Sequence, residues 1–274
     1  MTDKYAVLGN PIGHSKSPMI HAEFAKQTKQ DISYEAILAP LDGFSDTVKR
    51  LIAEGYKGVN VTVPFKFEAF DMANDINASA VVPEASNTLV FYEGSAAAYN
   101  TDGIGLVTDI QKNLARPLQG KRVLMIGAGG AAQGVAIEIA KANPATFVVV
   151  NRSVEKVHDM QKKLEGAKEQ DIVAITASSF NGLDGQVFDV VINATSAGLT
   201  DSVLPIPDSI FTSNILAYDM MYGRETPFML QARSAGAQVA DGLGMLVEQA
   251  AEAFSIWRGI KPDTKPVIAT IRAL

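Results

Sequence analysis

The chain has 274 residues, enough for one large domain or two medium ones, and 47% of them are hydrophobic, ample for substantial cores. Lysine and arginine number 24 against 30 acids, a net charge of −6 with no run of five like charges, which argues against nucleic acid or an anionic membrane as the main partner. With no cysteine, disulfides, thiolate nucleophiles and cysteine-ligated metals are excluded.

The opening MTDKYAVLGN is polar and then strand-like, unlike a signal peptide, and no stretch approaches the ~18 unbroken apolar residues of a membrane span. The expectation is a cytoplasmic protein, a monomer or a homodimer. Strand-like and helix-like segments alternate throughout, the mark of an α/β protein with largely parallel sheets. In the first hundred residues strands are expected at YAVLGN, SYEAILA, GVNVTV, NTLVFYE and AAAYN, with a helix over residues 19–28 after SKSP and another at KFEAFDMAND. Pro18 suits the first turn of the former, and Ser17 reads either as its cap or as a free hydroxyl.

GVNVTVPFK poses the sharpest question. Val59, Val61 and Val63 alternate with Asn60 and Thr62, Pro64 stops the strand, and Lys66 follows. Lys66 is either a solvated charge opening the next helix or an amine held in a cleft at a strand end, able to trade protons with a substrate. An amphipathic helix over residues 103–114, ending in ARPLQG, reads as a hinge. A second strand series follows: KRVLMIGAGG, TFVVVN, IVAIT, FDVVINAT, ILAYDMM and AQVAD. After Asp241, LGMLVEQAAEAFSIWRG is a strong helix, and a shorter one follows KPDTKP.

VLMIGAGGAAQGVAIEIA is an apolar strand, a glycine turn and an apolar helix in that order. Gly127, Gly129 and Ala132 give G-x-G-x-x-A: a tight turn, a backbone that pyrophosphate can approach, and close helix–strand packing. Backbone N–H groups of Ala128, Gly129, Gly130 and Ala131 lead into a helix N-terminus, which favours phosphate. The next strand ends at Asn151, where an NAD-selective enzyme would carry an acid for the ribose hydroxyl. Arg152, Ser153 and Lys156 follow instead, a set suited to a dianionic 2′-phosphate, so NADP is the expected cofactor. NATSAG, residues 193–198 with Thr195 among them, ends the fourth strand of this series on the side where ligands bind.

GNPIGHSKSP, NVTVPFK, NTDG, GAGGAA, NATSAG, YDMMY and DGLGMLVEQA occur in that order over nearly the whole chain. As a set they resemble the shikimate dehydrogenase family. The resemblance implies two α/β domains, an N-terminal substrate domain and a Rossmann-type dinucleotide-binding domain, with C-terminal helices returning to the first. The expected division is residues 1–102 with 243–274, and 103–242. It implies that Ser15, Ser17 and Tyr222 hold a substrate carboxylate, that Thr62, Asn87, Asp102 and Gln249 contact ring hydroxyls, and that Lys66 and Asp102 are the catalytic pair. Met220 and the backbone near Gly242 would approach the nicotinamide. The implied activity is NADP-linked, reversible reduction of 3-dehydroshikimate to shikimate. The alternatives are a quinate-active relative that uses NAD, against which the missing acid at Asn151 argues, and an idle NADP-binding regulator, against which retention of Lys66 and Asp102 argues.

Two departures stand out. The family usually has Gly-Ala-Val before NT, where this chain has Glu84, Ala85 and Ser86, and its second clamp arginine is here Lys156, which keeps the charge but loses the planar fork. If the SKSP loop is extended, Ser15 and Ser17 share one face and Lys16 points off it, leaving the hydroxyls to bind the carboxylate. No metal is expected: His14, His21 and His158 show no ligand spacing, and hydride transfer with a lysine acid does not require a Lewis acid. An ordinary lysine amine, pKa about 10.4, is a poor base at neutral pH but a ready proton donor to an alkoxide.

Overall fold

Valine- and alanine-rich runs form the strands of two separate sheets. The computed structural model describes residues 2–167, 172–200 and 202–274. The chain divides into two units, Met1–Gly105 with Val247–Leu274, and Leu106–Leu246.

In the first unit, strands β1 (Asp3–Gly9), β2 (Ile32–Leu38), β3 (Tyr56–Val61), β4 (Asp75–Ile76), β5 (Thr88–Tyr92) and β6 (Ser95–Tyr99) lie in the order β2-β1-β3-β5-β6-β4. The central strands β1 and β3 are buried on both faces, which is why they read as near-continuous apolar runs. Helices α1 (Ser17–Thr28), α2 (Phe44–Ala53), α3 (Lys66–Asp71) and α4 (Ala78–Val81) intervene. Phe44, Val48 and Leu51 of α2 pack with Leu8, Val59, Val61 and Leu89 from the sheet. This sheet is largely parallel, as expected, with β5 its one reversed strand. A tight turn with Glu93 and Gly94 at positive φ joins β5 to β6, so β5 runs antiparallel to both neighbours.

Two sequence expectations are shortened here. The strand expected through Val63 ends at Val61, and Val63 is 62% exposed, because the chain turns at Thr62, where Phe65 N–H donates to the Thr62 carbonyl (3.1 Å). The helix expected over residues 66–75 stops at Asp71. Asn74 instead exchanges two hydrogen bonds with Ala96 (2.8 and 3.1 Å), drawing Asp75 and Ile76 into the sheet beside β6.

The chain leaves the first unit within helix α5 (Asp102–Thr108), which continues as a π-helical turn over Asp109–Asn113. The expected hinge helix is therefore not a regular α-helix to its end. The buried Asp109 carboxylate accepts from the Tyr218 hydroxyl (2.7 Å) and from the Asn113 side chain (3.0 Å), which holds the widened turn.

The second unit alternates β7 (Arg122–Ile126), α6 (Gly130–Lys141), β8 (Thr146–Val150), α7 (Val154–Gly166), β9 (Ile175–Ser178), β10 (Val190–Asn193), β11 (Leu216–Asp219), α8 (Pro227–Ser234) and β12 (Gln238–Ala240). The strand order is β9-β8-β7-β10-β11-β12, every pair parallel. This is the doubly wound arrangement of a dinucleotide fold, and the order reverses between β7 and β10, where such sheets bind ligands at their carboxyl ends. The strand expected at IVAIT begins only at Ile175; Val173 N–H donates instead to the Ala140 carbonyl (3.3 Å) at the end of α6. Helix α9 (Leu243–Arg258) carries the chain back into the first unit, and α10 (Thr264–Arg272) follows, capped by Asp263. No helix among the described residues is long and apolar enough to cross a membrane.

The returning helix is stitched to the earliest strands. Trp257, the sole tryptophan, packs on Tyr5 (ring centroids 4.7 Å apart) and donates to the Leu89 carbonyl (3.1 Å), while Arg258 pairs with Asp3 and donates to Gln30. Beside them His21 is fully buried, stacked on Tyr34 at 4.1 Å. Among the described residues neither of its ring nitrogens has a hydrogen-bond partner. Burial therefore pushes its pKa from 6.5 to about 3, against the opposing effect of the nearby Asn60 side chain.

This lowered pKa has a direction in stability. The unfolded chain takes up the proton first as pH falls below 6.5, so His21 destabilises the fold progressively between pH 6.5 and about 3 and contributes nothing above that window. His21→Phe keeps an aromatic ring in the cluster and removes the proton site. Between pH 7 and 5 the variant is expected to lose about 2 kcal/mol less unfolding free energy than the parent in urea titrations. Equal losses in the two proteins would refute the assignment.

Candidate active site

Buried Phe65 fixes where Lys66 stands. Its ring stacks on Phe44 (4.9 Å) and anchors the turn after β3, so that Lys66 opens α3. The plainer sequence expectation, a lysine opening a helix, is thus met. At the same time the Lys66 amine lies 2.5 Å from Asp102 Oδ2, both side chains largely covered, at 27% and 11% exposed. Lys66 therefore opens a helix, but as a covered and paired amine and not as a solvated charge. Asp102 opens α5, with its own N–H donating to Asn100 Oδ1 (3.0 Å). Its second oxygen, Oδ1, accepts from Asn87 Nδ2 (2.9 Å), and Gln249 Oε1 lies 3.2 Å from the same nitrogen. Lys66, Asn87, Asp102 and Gln249 therefore converge, although they come from four separate elements or turns.

The turn before Asn87 departs from the family's pattern and is built accordingly. Glu84 takes the left-handed conformation (φ 49°) that a glycine adopts more easily. Ser86, fully buried, donates toward the Thr88 and Tyr99 carbonyls (3.0 Å each), and its N–H donates to the Lys66 carbonyl (2.8 Å). Hydrogen bonds replace apolar packing there, and Asn87 keeps its place.

The expected extended SKSP loop is not found. Lys16 is helical (φ −82°, ψ −9°), and α1 already begins at Ser17. Ser17 does not cap the helix; its N–H donates to Ser15 Oγ (3.3 Å), and its side chain is buried. Alternation of side chains consequently gives no ground for pointing Lys16 away from the serines. Thr62 is half-buried at the turn after β3, N–H bonded to the Leu8 carbonyl (2.9 Å). Tyr222 belongs to the other unit, following β11, where burial raises its hydroxyl pKa.

In the second unit Gly127 (φ 114°) sits where β7 ends, and a Cβ there would crowd the Ala194 carbonyl at 3.1 Å. Ala128 is buried behind it, whereas Gly129, Gly130 and Ala131 are exposed at the start of α6. Gly129 has an ordinary φ of −83°, and nothing lies within 4 Å of an added Cβ. The polypeptide itself does not require glycine at that position, whereas a dinucleotide turn uses one there to let pyrophosphate approach the backbone. These residues fit a dinucleotide. Gly129→Ala is accordingly expected to leave the melting temperature unchanged while raising the KM for NADP about tenfold, a loss of about 1.4 kcal/mol. A lowered melting temperature with KM intact would show that the glycine serves the fold.

Asn151 directly follows β8, and its side chain donates to the Ser153 carbonyl (2.8 Å). Arg152 and Lys156 are exposed. Ser153 is engaged: its hydroxyl donates to Glu155 (2.8 Å), which with a backbone N–H holds that carboxyl below its usual range. Met220 and Gly242 are brought together, so closely that a Cβ on Gly242 would stand 2.2 Å from the Met220 carbonyl oxygen.

Sequence reading passed over the polar groups behind these residues. Asn193 Oδ1 accepts from the Thr195 N–H and hydroxyl (3.1 and 2.7 Å), and the fully buried Asp219 gathers Asn193, Thr226 and the Met221 N–H. The available signal was a polar residue closing each apolar strand, Asn193 in NAT and Asp219 in YDMM. In the first unit Asn60, Thr88, Asn100 and Thr101 were also missed, all buried around Asn87.

Three family models match the chain in succession. Residues 7–89 match the shikimate dehydrogenase substrate binding domain, 109–200 the shikimate / quinate 5-dehydrogenase family, and 242–272 the shikimate 5′-dehydrogenase C-terminal domain. Shikimate dehydrogenase (NADP(+)) of Methylobacillus flagellatus is 54% identical over 272 residues, covering 99% of each chain. Among solved structures, an Ael1 enzyme from Pseudomonas putida superposes with a TM-score of 0.93 at 44% identity, covering 98% of each chain. The shikimate 5-dehydrogenase of Thermus thermophilus, solved with NADP(H) and shikimate, gives 0.87 at 30% identity with full coverage of both.

Proposed function

The chain belongs to the shikimate dehydrogenase family, and on that premise we propose that it reduces 3-dehydroshikimate reversibly to shikimate, with Lys66 and Asp102 handling the proton. NADP is the cofactor named for its relatives, and its reduced form supplies the hydride. Lys66, as the ammonium, gives a proton to the carbonyl oxygen as that oxygen becomes an alkoxide, and in the oxidative direction the free amine takes it back. General acid help of this kind is worth typically 10²–10⁴-fold. Asp102 orients the amine through its Oδ2 while Asn87 holds its Oδ1. Ser15, Ser17 and Tyr222 offer hydroxyls to the substrate carboxylate, with Lys16 a competing donor. Gly127 to Ala131, Asn151, Arg152, Ser153, Lys156, Thr195, Met220 and Gly242 serve the cofactor, Arg152 and Lys156 facing the 2′-phosphate.

The observation that carries this reading is the Lys66–Asp102 pair with Asn87 bound to its free oxygen: a proton donor and its orienting acid, fixed on separate elements. The test is spectrophotometric, following NADPH formation with shikimate and NADP, then with quinate and with NAD. Rapid turnover of shikimate with NADP, and little with quinate or NAD, is expected. Quinate with NAD as the faster pair would replace this reading with the broader relative, and no turnover at all with a regulator.

A further inference from the structure

The geometry points to Tyr34 and Thr88 as positioning residues, which hold Asn87 and Asp102 in their working orientation through a one-way chain of buried hydrogen bonds; we propose this on top of the catalytic reading above. The argument starts from two amides whose ends can be told apart. Asn60 Nδ2 lies 3.2 Å from the Asn87 carbonyl, which only accepts, so the amide nitrogen faces that side and Oδ1 faces the Tyr34 hydroxyl at 2.7 Å. Asn87 Oδ1 takes the Thr101 N–H (2.9 Å), which only donates, and its Nδ2 faces the Asp102 carboxylate, which only accepts.

Two hydroxyls join these fixed points, and each faces an amide oxygen that accepts its proton. Tyr34 donates to Asn60 Oδ1. Burial raises its phenol pKa well above the ordinary value despite the opposing Ser17 hydroxyl, so it remains a donor. Asn60 Nδ2 donates to Thr88 Oγ1 (3.0 Å), which therefore turns its own proton to Asn87 Oδ1 (3.0 Å). Asn87 Nδ2 then donates to Asp102 Oδ1, leaving Oδ2 to Lys66. Every dipole points its positive end toward the carboxylate, and bonds arranged head to tail strengthen one another. Asn60, Asn87 and Thr88 are all less than a tenth exposed, so water is poorly placed to substitute for a missing link. The stack of His21 on Tyr34 fixes the phenol at the head of the chain.

The test uses Thr88→Val, which keeps the shape and removes the hydroxyl, Thr88→Ser, which restores it, and Tyr34→Phe, which keeps the stacked ring. Two quantities are measured in the whole protein: steady-state kinetics with shikimate, and solvent exchange of the Asn87 side-chain amide protons by NMR, assigned by their absence in Asn87→Asp. Thr88→Val and Tyr34→Phe are expected to lower kcat about five- to twentyfold with KM for shikimate within about twofold, and to speed amide exchange about tenfold or more. Thr88→Ser is expected to recover both. Unchanged amide exchange in either folded variant overturns the chain, and faster exchange with unchanged kcat overturns its part in catalysis. If Thr88→Val does not fold, Tyr34→Phe decides alone. If the parent protein fails to turn over shikimate, the catalytic reading falls, while amide exchange still decides whether the chain orients Asn87.

Discussion

Replacing Lys66 by alanine is expected to lower kcat by about 10²-fold or more while the KM for shikimate changes far less, because a proton donor is needed mainly where the alkoxide forms. The structure makes this a clean substitution. Lys66 stands in the first turn of α3 with its helix anchored by Phe65, so alanine keeps the backbone. Asp102 loses one partner but keeps Asn87 on Oδ1 and its backbone bond to Asn100, so the carboxylate stays in place. Removing one member of a covered ion pair also carries a stability penalty. The melting temperature is therefore to be measured beside the kinetics, at a temperature where the variant is fully folded. A kcat within about threefold of the parent would remove Lys66 from the reaction.

Arg152→Ala is expected to raise the KM for NADP roughly ten- to a hundredfold, corresponding to ~1.5–3 kcal/mol for a lost charged hydrogen-bond partner, with the KM for NAD nearly unchanged. The local geometry concentrates the effect on this residue. Ser153 is already bonded to Glu155, a carboxylate in the first turn of α7 and next in sequence to Lys156. Lys156 supplies charge without a planar fork. Steady-state kinetics with both cofactors would separate the outcomes: equal losses would mean that Arg152 serves the adenine or the fold.

The glycine turn after β7 was readable in the sequence because its constraint is local: Gly127 takes a positive φ directly at the end of the strand, and the glycine pattern of a dinucleotide turn spans only a few residues. The Lys66–Asp102 pair was not local. Thirty-six positions separate the two side chains, and no periodicity links them; only the resemblance of the whole motif series brought them together. Asn60 and Thr88 went unnoticed for a different reason. A polar residue alternating with valines looks like the wet face of a strand, yet β3 is buried on both sides, so Asn60 faces a hydrogen-bonded interior. The overlong helix at KFEAFDMAND failed because Asn74 is claimed by a strand partner more than twenty residues away, which no window of sequence registers. The extended SKSP loop failed because α1 starts two residues earlier than its apolar pattern.

The discontinuous first unit has a consequence for biosynthesis. A chain is made from its N-terminal end, so Leu106–Leu246 is fully synthesised before residues 247–274 are added, and units of a chain tend to fold as they appear. The nucleotide-binding half has its complete sequence while the other half still lacks Gln249 and the helix carrying Trp257. Because that lone indole is held against Tyr5 and the Leu89 carbonyl, its fluorescence is a built-in clock for the moment the nascent enzyme closes its own seam.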